Sequence, residues 1–263
     1  VFTTAMPDIF QLGPFNFVDV VVGLSVATML VGNLLALHQD DAKRMLAYSS
    51  ISHAGYLAMG LALIPQLGSR TAGLGSVSGA MLFYLVAYGF ATLLGFGVLA
   101  RLGKDSSEDT SLSRLKGLAK RRPGLAFLLA LSLFSLAGFP PTVGFFGKFY
   151  LFRELMVLSK GKLLILVIIA VINALFAVYY YLGPIIAMYR QEAEEEQEEV
   201  GNSSATLALV LLAIAVLFLG LFPSKLADLT DKAGKTVPYS SATGLTDGQP
   251  ADLAPFANKE GKK

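Results

Sequence analysis

Six stretches of nearly unbroken apolar residues run along this chain, at 18–37, 45–64, 77–100, 125–158, 163–188 and 205–221. Within each, the apolar positions are continuous and not alternating, which predicts helices and not strands. Each comes near the length of about 20 apolar residues that a bilayer-spanning helix needs. The fourth is far longer. As one straight helix, residues 125–158 would reach roughly 50 Å at about 1.5 Å per residue, against a hydrocarbon core of about 30 Å. It must tilt, overshoot or break, and Gly138-Phe139-Pro140-Pro141 marks where a break is expected, opening the backbone over 138–144. Residues 1–17 read as a linker, 18–221 as the membrane domain, and 222–263 as a polar, flexible tail without a packed core.

Polar residues inside the spans carry the chemistry. In the second span Ser49, Ser52, His53 and Tyr56 fall at i, i+3, i+4 and i+7, so all four share one helix face. Such a stripe is disfavoured against lipid and is expected to face protein or a hydrated cavity. Histidine titrates near neutral pH and passes a proton between its two nitrogens. His53 is thus either a relay residue or a structural histidine held by a serine hydroxyl or a carbonyl. Tyr84, Tyr88 and Thr92 make a second stripe in the third span. They are packing or interfacial groups, or, if the two stripes meet, the other wall of a polar path. In the fifth span Asn173 is expected to bond a neighbouring helix, and Tyr179-Tyr180-Tyr181 to sit at the membrane interface.

Lys148 is the hardest residue to place. It follows the expected break, deep in an apolar run, and an ammonium at the bilayer centre costs about 2.5–3.5 kcal/mol on insertion scales. No Asp or Glu lies in the middle of any span to pair with it; Asp19 opens the first span and Glu154 is near the end of its own helix. Lys148 therefore either pairs with a group outside this chain, snorkels to an interface, or exchanges a proton near physiological pH because burial disfavours a charged amine. Lys43 and Arg44, at the edge of the second span, serve topology, with Lys43 also a candidate proton entry.

Composition narrows the class. The chain is 54% hydrophobic and 15% charged, where soluble proteins carry about 25% charge. A net charge of +2 gives no case for nucleic acid. With no cysteine and two histidines at no metal-like spacing, disulfides, iron–sulfur ligation, zinc and haem sites are not expected. The run 73–79 has glycines like a phosphate loop, but no strand precedes it, so a flexible loop with close helix packing is expected. Basic residues cluster after the first span (Lys43, Arg44) and after the third (Arg101, Lys104, Arg114, Lys116, Lys120, Arg121, Arg122). Those loops are expected to face the cytoplasm, with both chain ends opposite, although Arg153, Lys160 and Lys162 weigh the other way. The acidic run 192–199 then reads as a solvated cytoplasmic linker, which leaves the Asn202-Ser203-Ser204 sequon without meaning.

The segment Lys43-Arg44-Met45-Leu46-Ala47-Tyr48-Ser49-Ser50-Ile51-Ser52-His53-Ala54-Gly55-Tyr56 resembles the signature of the antiporter-like membrane subunits of respiratory complex I and the Mrp antiporters. The segment Ser135–Tyr150, with Lys148, is similar to the subunit N branch of proton-pumping NADH:quinone oxidoreductase. Sibling subunit M typically has glutamate at the place of Lys148. Subunit L carries histidine and lysine where Tyr88 and Thr92 stand here. The resemblance covers roughly residues 18–221.

It implies an all-α polytopic membrane protein of about six transmembrane helices, one discontinuous, matching the second five-helix repeat of the antiporter-like fold plus a final helix. It implies that Lys148 is the lysine of the second broken helix, at the outward end of a central polar axis. The family's paired lysine and glutamate of the first repeat would lie on preceding helices, so the chain, which opens on Val1, is expected to be the C-terminal portion of a longer protein.

The expected function is proton translocation coupled to NADH oxidation and quinone reduction in other subunits, with Lys148 and His53 transferring protons along a path through Ser49, Ser52, Tyr56, Tyr84 and Tyr88. No cofactor is expected on this chain; NAD, FMN, iron–sulfur clusters and quinone belong elsewhere in the complex. The expected partners are subunits K and M and lipid, in a bacterial-type cytoplasmic membrane, with an organelle membrane also open. The rivals are an Mrp-type sodium/proton antiporter subunit and a non-pumping structural subunit.

Overall fold

The computed structural model describes residues 11–12, 15–63, 71–102, 110–190 and 203–235. Most of residues 1–17, the acidic run 192–199 and the end of the tail, 236–263, lie outside them. A two-residue hairpin, β1 (Gln11–Leu12) and β2 (Phe15–Asn16), precedes the helices. Among the described residues ten helices follow: α1 (Phe17–Leu37), α2 (Ala42–Leu61), α3 (Thr71–Leu102), α4 (Leu112–Leu115), α5 (Leu118–Arg121), α6 (Pro123–Ala137), α7 (Val143–Leu158), α8 (Leu164–Arg190), α9 (Ser203–Leu221) and α10 (Pro223–Lys235).

Among the described residues α1, residues Val77–Leu102 of α3, and α8 are each long and apolar enough to cross a bilayer alone. α2 has the length, at 20 residues, but its polar stripe dilutes its hydropathy. α6 and α7, with 15 and 16 residues, are each too short for a full span. They are the two halves of the discontinuous one. The fold is all-α and multi-pass.

Local chemistry sets the boundaries. α2 begins three residues before the predicted span because Asp41 caps it, its carboxylate accepting from the Arg44 amide at 2.8 Å. Lys43 and Arg44 are thus in the first helical turn. α3 begins at Thr71, so the glycine-rich run 73–79 is helical and not the loop that its composition predicts. The tail also departs from expectation. Residues 223–235 form α10, which turns 89° from α9 and packs on α3, burying Leu226 and Thr230. Pro223 supplies a helix start, and one face carries the buried residues while Lys225, Asp228 and Lys232 face outward. At Gly79 any side chain would collide with Asp231.

α1 and α2 are in the closest contact. Gly32 lies on the backbone of Ser52, and Gly55 lies on the backbones of Ser25 and Met29, so neither position has room for a Cβ. Small residues at such crossings let membrane helices approach closely. Ser25 Oγ then donates to the Gly55 carbonyl at 2.7 Å. This pair and α3, α7 and α8 enclose the polar stripe of α2.

Candidate functional site

The predicted break in the fourth apolar run is present, and it creates a lysine site. α6 ends at Gly138, which has φ +90°. Only a residue without Cβ takes that conformation freely. The amides of Gly138 and Phe139 turn back to the carbonyls of Phe134 and Ser135. The next two carbonyls, Leu136 and Ala137, are left beyond the helix end. Lys148 Nζ donates to both, at 2.9 and 3.0 Å. The amine therefore caps the electronegative end of α6. Lys148 is only 6% exposed, so it is not snorkelling to a surface.

α7 brings Lys148 back to that end because its first turn lies directly on α6. Gly144 touches the Ser135 carbonyl, leaving no room for a side chain, and the Gly144 amide donates to Ser135 Oγ at 3.3 Å. Lys148 Nζ also lies over the Tyr56 ring, 5.4 Å from its centroid, within cation–π range. Glu154 is engaged with Arg153 at 3.4 Å, so the lysine's partners here are backbone carbonyls and an aromatic face.

The two predicted stripes meet. His53 Nδ1 is 2.7 Å from Tyr84 OH, and its Nε2 is 3.2 Å from Tyr181 OH. Tyr88 stacks on the imidazole with ring centroids 4.6 Å apart. A gap of about 10 Å³ is lined by His53, Tyr84, Tyr88, Ser135, Gly144 and Lys148, near the size that one water molecule requires. Lysine and histidine thus border one small space. Ser49 Oγ donates to the Leu46 carbonyl at 2.8 Å.

A second, neutral network adjoins the first. Asn173 Nδ2 donates to Ser52 Oγ and to Tyr56 OH, both at 3.0 Å. Tyr56 OH donates to the Ala170 carbonyl at 3.3 Å. Asn33 Nδ2 donates to the Asn173 carbonyl at 2.6 Å, and Tyr180 OH donates to Asn33 Oδ1 at 3.0 Å. The rings of Tyr180 and Tyr181, with centroids 4.5 Å apart, lie where the two networks adjoin.

Lys148, His53, Ser49, Ser52, Tyr56, Tyr84 and Tyr88 are therefore brought together. Lys43 is not: it lies at the start of α2, ten residues or about 15 Å of helix from His53. The tyrosine triplet is a correction. Tyr179 is 74% exposed, but Tyr180 and Tyr181 are buried in the polar centre, because helical rotation sends neighbours to different faces. A signal for them existed: Tyr180 and Tyr181 follow Asn173 by seven and eight residues, which places all three on one side of α8. Asn33 is a further member that the sequence reading did not single out.

Residues 4–177 match the family described as "NADH:quinone oxidoreductase/Mrp antiporter, TM". Proteins named NADH-quinone oxidoreductase subunit N are similar to the chain. That of Bdellovibrio bacteriovorus is 39% identical over 84% of this chain and 44% of its own length. That of Trichlorobacter lovleyi is 40% identical over 81% and 42%. Among solved structures, respiratory complex I of Thermus thermophilus with bound aureothin contains a chain with TM-score 0.66 and 34% identity, over 80% of this chain and 45% of that one. A membrane-bound archaeal sulfane sulfur reductase shares the fold, with TM-score 0.71 at 23% identity over 83% and 42%. The chain spans less than half the length of these relatives.

Proposed function

Because the chain belongs to the NADH:quinone oxidoreductase/Mrp antiporter membrane family, we propose that it forms one proton-transfer unit of a complex I subunit N, driven by NADH oxidation and quinone reduction in other subunits. The observation that carries this reading is the Lys148 amine, buried and held by two carbonyls of a broken helix while bordering the same small space as His53. A neutral amine has two N–H bonds, and the Leu136 and Ala137 carbonyls accept both. Its lone pair then remains for an incoming proton. The protonated amine keeps the two carbonyls and gains the face of Tyr56. One cradle accommodates both charge states, as a group that loads and releases a proton requires.

His53 is the next member of the path. Its two nitrogens meet two tyrosine hydroxyls, so a proton taken at one nitrogen is matched by release at the other. Ser49, Ser52 and Tyr56 hold the geometry around it, and Lys43 is an entry group at the edge of α2. In this reading the chain binds no cofactor, and NAD, FMN, iron–sulfur clusters and quinone act elsewhere in the complex. Subunits K and M are its neighbours in a bacterial-type cytoplasmic membrane. The subunit N relatives favour this over an Mrp-type sodium/proton antiporter. The test is Lys148→Ala in the complete complex, reconstituted in vesicles. Proton uptake per NADH oxidised should fall and the coupled quinone reductase rate should drop about a hundredfold, the lower range for loss of one proton-transfer group, with assembly intact. Full proton stoichiometry in that variant rules the reading out.

A further inference from the structure

A second cavity, of about 540 Å³, lies well away from Lys148, between α6 and α9. Its size is that of a ligand site. Its walls are apolar: Leu125, Phe127 and Leu128 on α6 face Val210, Ile214 and Leu217 on α9. Phe127 and Ile214 are more than half exposed, so the space is open along the side of the described helices. One end differs in kind. There Arg101, in the last turn of α3, and Arg122, at the N-cap of α6, line it together with Thr206. α6 starts at this same end with Pro123 and no side-chain cap, so its positive pole adds to the two guanidinium groups. Gly124 has open space where a side chain would stand.

The dimensions choose the occupant. From Thr206 to Leu217 the groove follows about 17 Å of α9. Half of a hydrocarbon core of about 30 Å is one leaflet. A neighbouring transmembrane helix would need a groove twice as long, with no reason for cations at one end. We propose that this groove binds an anionic phospholipid. Its phosphate lies between Arg101 and Arg122, which suit bidentate phosphate contact, and one acyl chain runs between α6 and α9 to the bilayer midplane. Gly124 gives the glycerol region room to pass. Basic pockets between membrane helices on the cytoplasmic side are suited to anionic headgroups, and the loop after α3 is the one whose basic residues predict that side.

The experiment uses the natural protein, purified in mild detergent and reconstituted in phosphatidylcholine vesicles that contain photoreactive phosphatidylglycerol or photoreactive phosphatidylcholine. Phosphatidylglycerol should label residues 122–128 and 206–217 well above phosphatidylcholine. Arg101→Gln with Arg122→Gln should weaken that labelling about thirtyfold, the factor for two interfacial basic residues. Arg101→Lys with Arg122→Lys should keep most of it. Ile214→Trp fills the groove without changing its charge, and should remove labelling by either lipid. Equal labelling by the two lipids in the wild-type protein overturns the headgroup assignment. So does wild-type labelling of a double glutamine variant that melts like its parent. A photoreactive residue at position 214 that captures a neighbouring protein helix in native membranes, in place of lipid, makes the groove a protein interface and ends the proposal.

Discussion

Lys148 and Asn173 are both buried polar side chains inside the helix bundle, at 6% and 1% exposure, yet they are held in opposite ways. Asn173 is tied to side chains on other helices: its amide reaches Ser52 and Tyr56 on α2, and its backbone carbonyl takes Asn33 of α1. Lys148 is tied to two backbone carbonyls of a helix end and to no side-chain acceptor among the described residues. The asparagine network fixes three helices against each other and never needs to change charge. The lysine cradle can hold the amine in either form, because carbonyls accept from both. One device gives rigidity, and the other, in the function proposed, gives a site where charge can vary. A carboxylate beside Lys148 would have held the ammonium permanently.

The sharpest way to break this contrast is Lys148→Arg. Arginine keeps a cation and can still donate to the Leu136 and Ala137 carbonyls, but it does not release its proton in proteins. If Lys148 serves only to cap α6, the variant should pump normally. If proton exchange is its task, pumping should fall and the coupled rate should drop about a hundredfold while the complex assembles and its helices melt as before. Gly138→Ala comes next. A left-handed alanine costs roughly 1–2 kcal/mol, and its Cβ would sit 3.2 Å from Lys148 Cδ and 3.4 Å from Nζ. Displacing the amine from its carbonyls by that much strain should lower coupled activity about fivefold or more; unchanged activity would show that the helix end does not position the lysine. Asn173→Ala should act mainly on stability. Interhelical hydrogen bonds in membranes average about 0.6 kcal/mol each, so losing two lowers the melting temperature by a few degrees and leaves activity within about twofold. A large activity loss with unchanged melting would move Asn173 from scaffold to relay.

How much of this was legible in the residues depends on the length scale of each feature. The break at Gly138–Thr142 was legible because glycine and proline act locally, on the backbone of their own segment. The α2 stripe was legible because a period of three to four residues places Ser49, Ser52, His53 and Tyr56 on one face whatever the rest of the chain does. The partners of that stripe were less so. His53 meets Tyr181, 128 residues away, and Tyr180 meets Asn33, 147 residues away. Which helix stands opposite is set by long-range packing, as where Gly32 and Gly55 fit α1 and α2 together, and no periodicity encodes that. α10 was missed for another reason. Its polar composition matches a flexible tail, and its order comes from docking Leu226 and Thr230 against α3. The acyl-chain groove has no sequence pattern at all, since its arginines lie on two different helices.

A further contrast separates two tyrosines that look alike in the sequence, four residues apart on one face of α3. Tyr84 presents its hydroxyl to His53 Nδ1 at 2.7 Å, while Tyr88 presents its ring, stacked 4.6 Å away. Phenylalanine preserves a stacked ring and removes a hydroxyl. Tyr84→Phe should therefore leave one imidazole nitrogen buried without its partner, a loss of about 1–3 kcal/mol. That penalty falls on the tautomer which needs Nδ1 bonded, so coupled activity should drop several-fold and its pH profile should shift. Tyr88→Phe should change neither by more than about twofold, because no hydrogen bond of its hydroxyl is formed among the described residues. Measured side by side in the same vesicles, equal losses in the two variants would mean that the face is a packing surface and that His53 needs only bulk beside it. Unequal losses in the stated order, with melting unchanged, would tie the imidazole's function to a hydroxyl at one nitrogen.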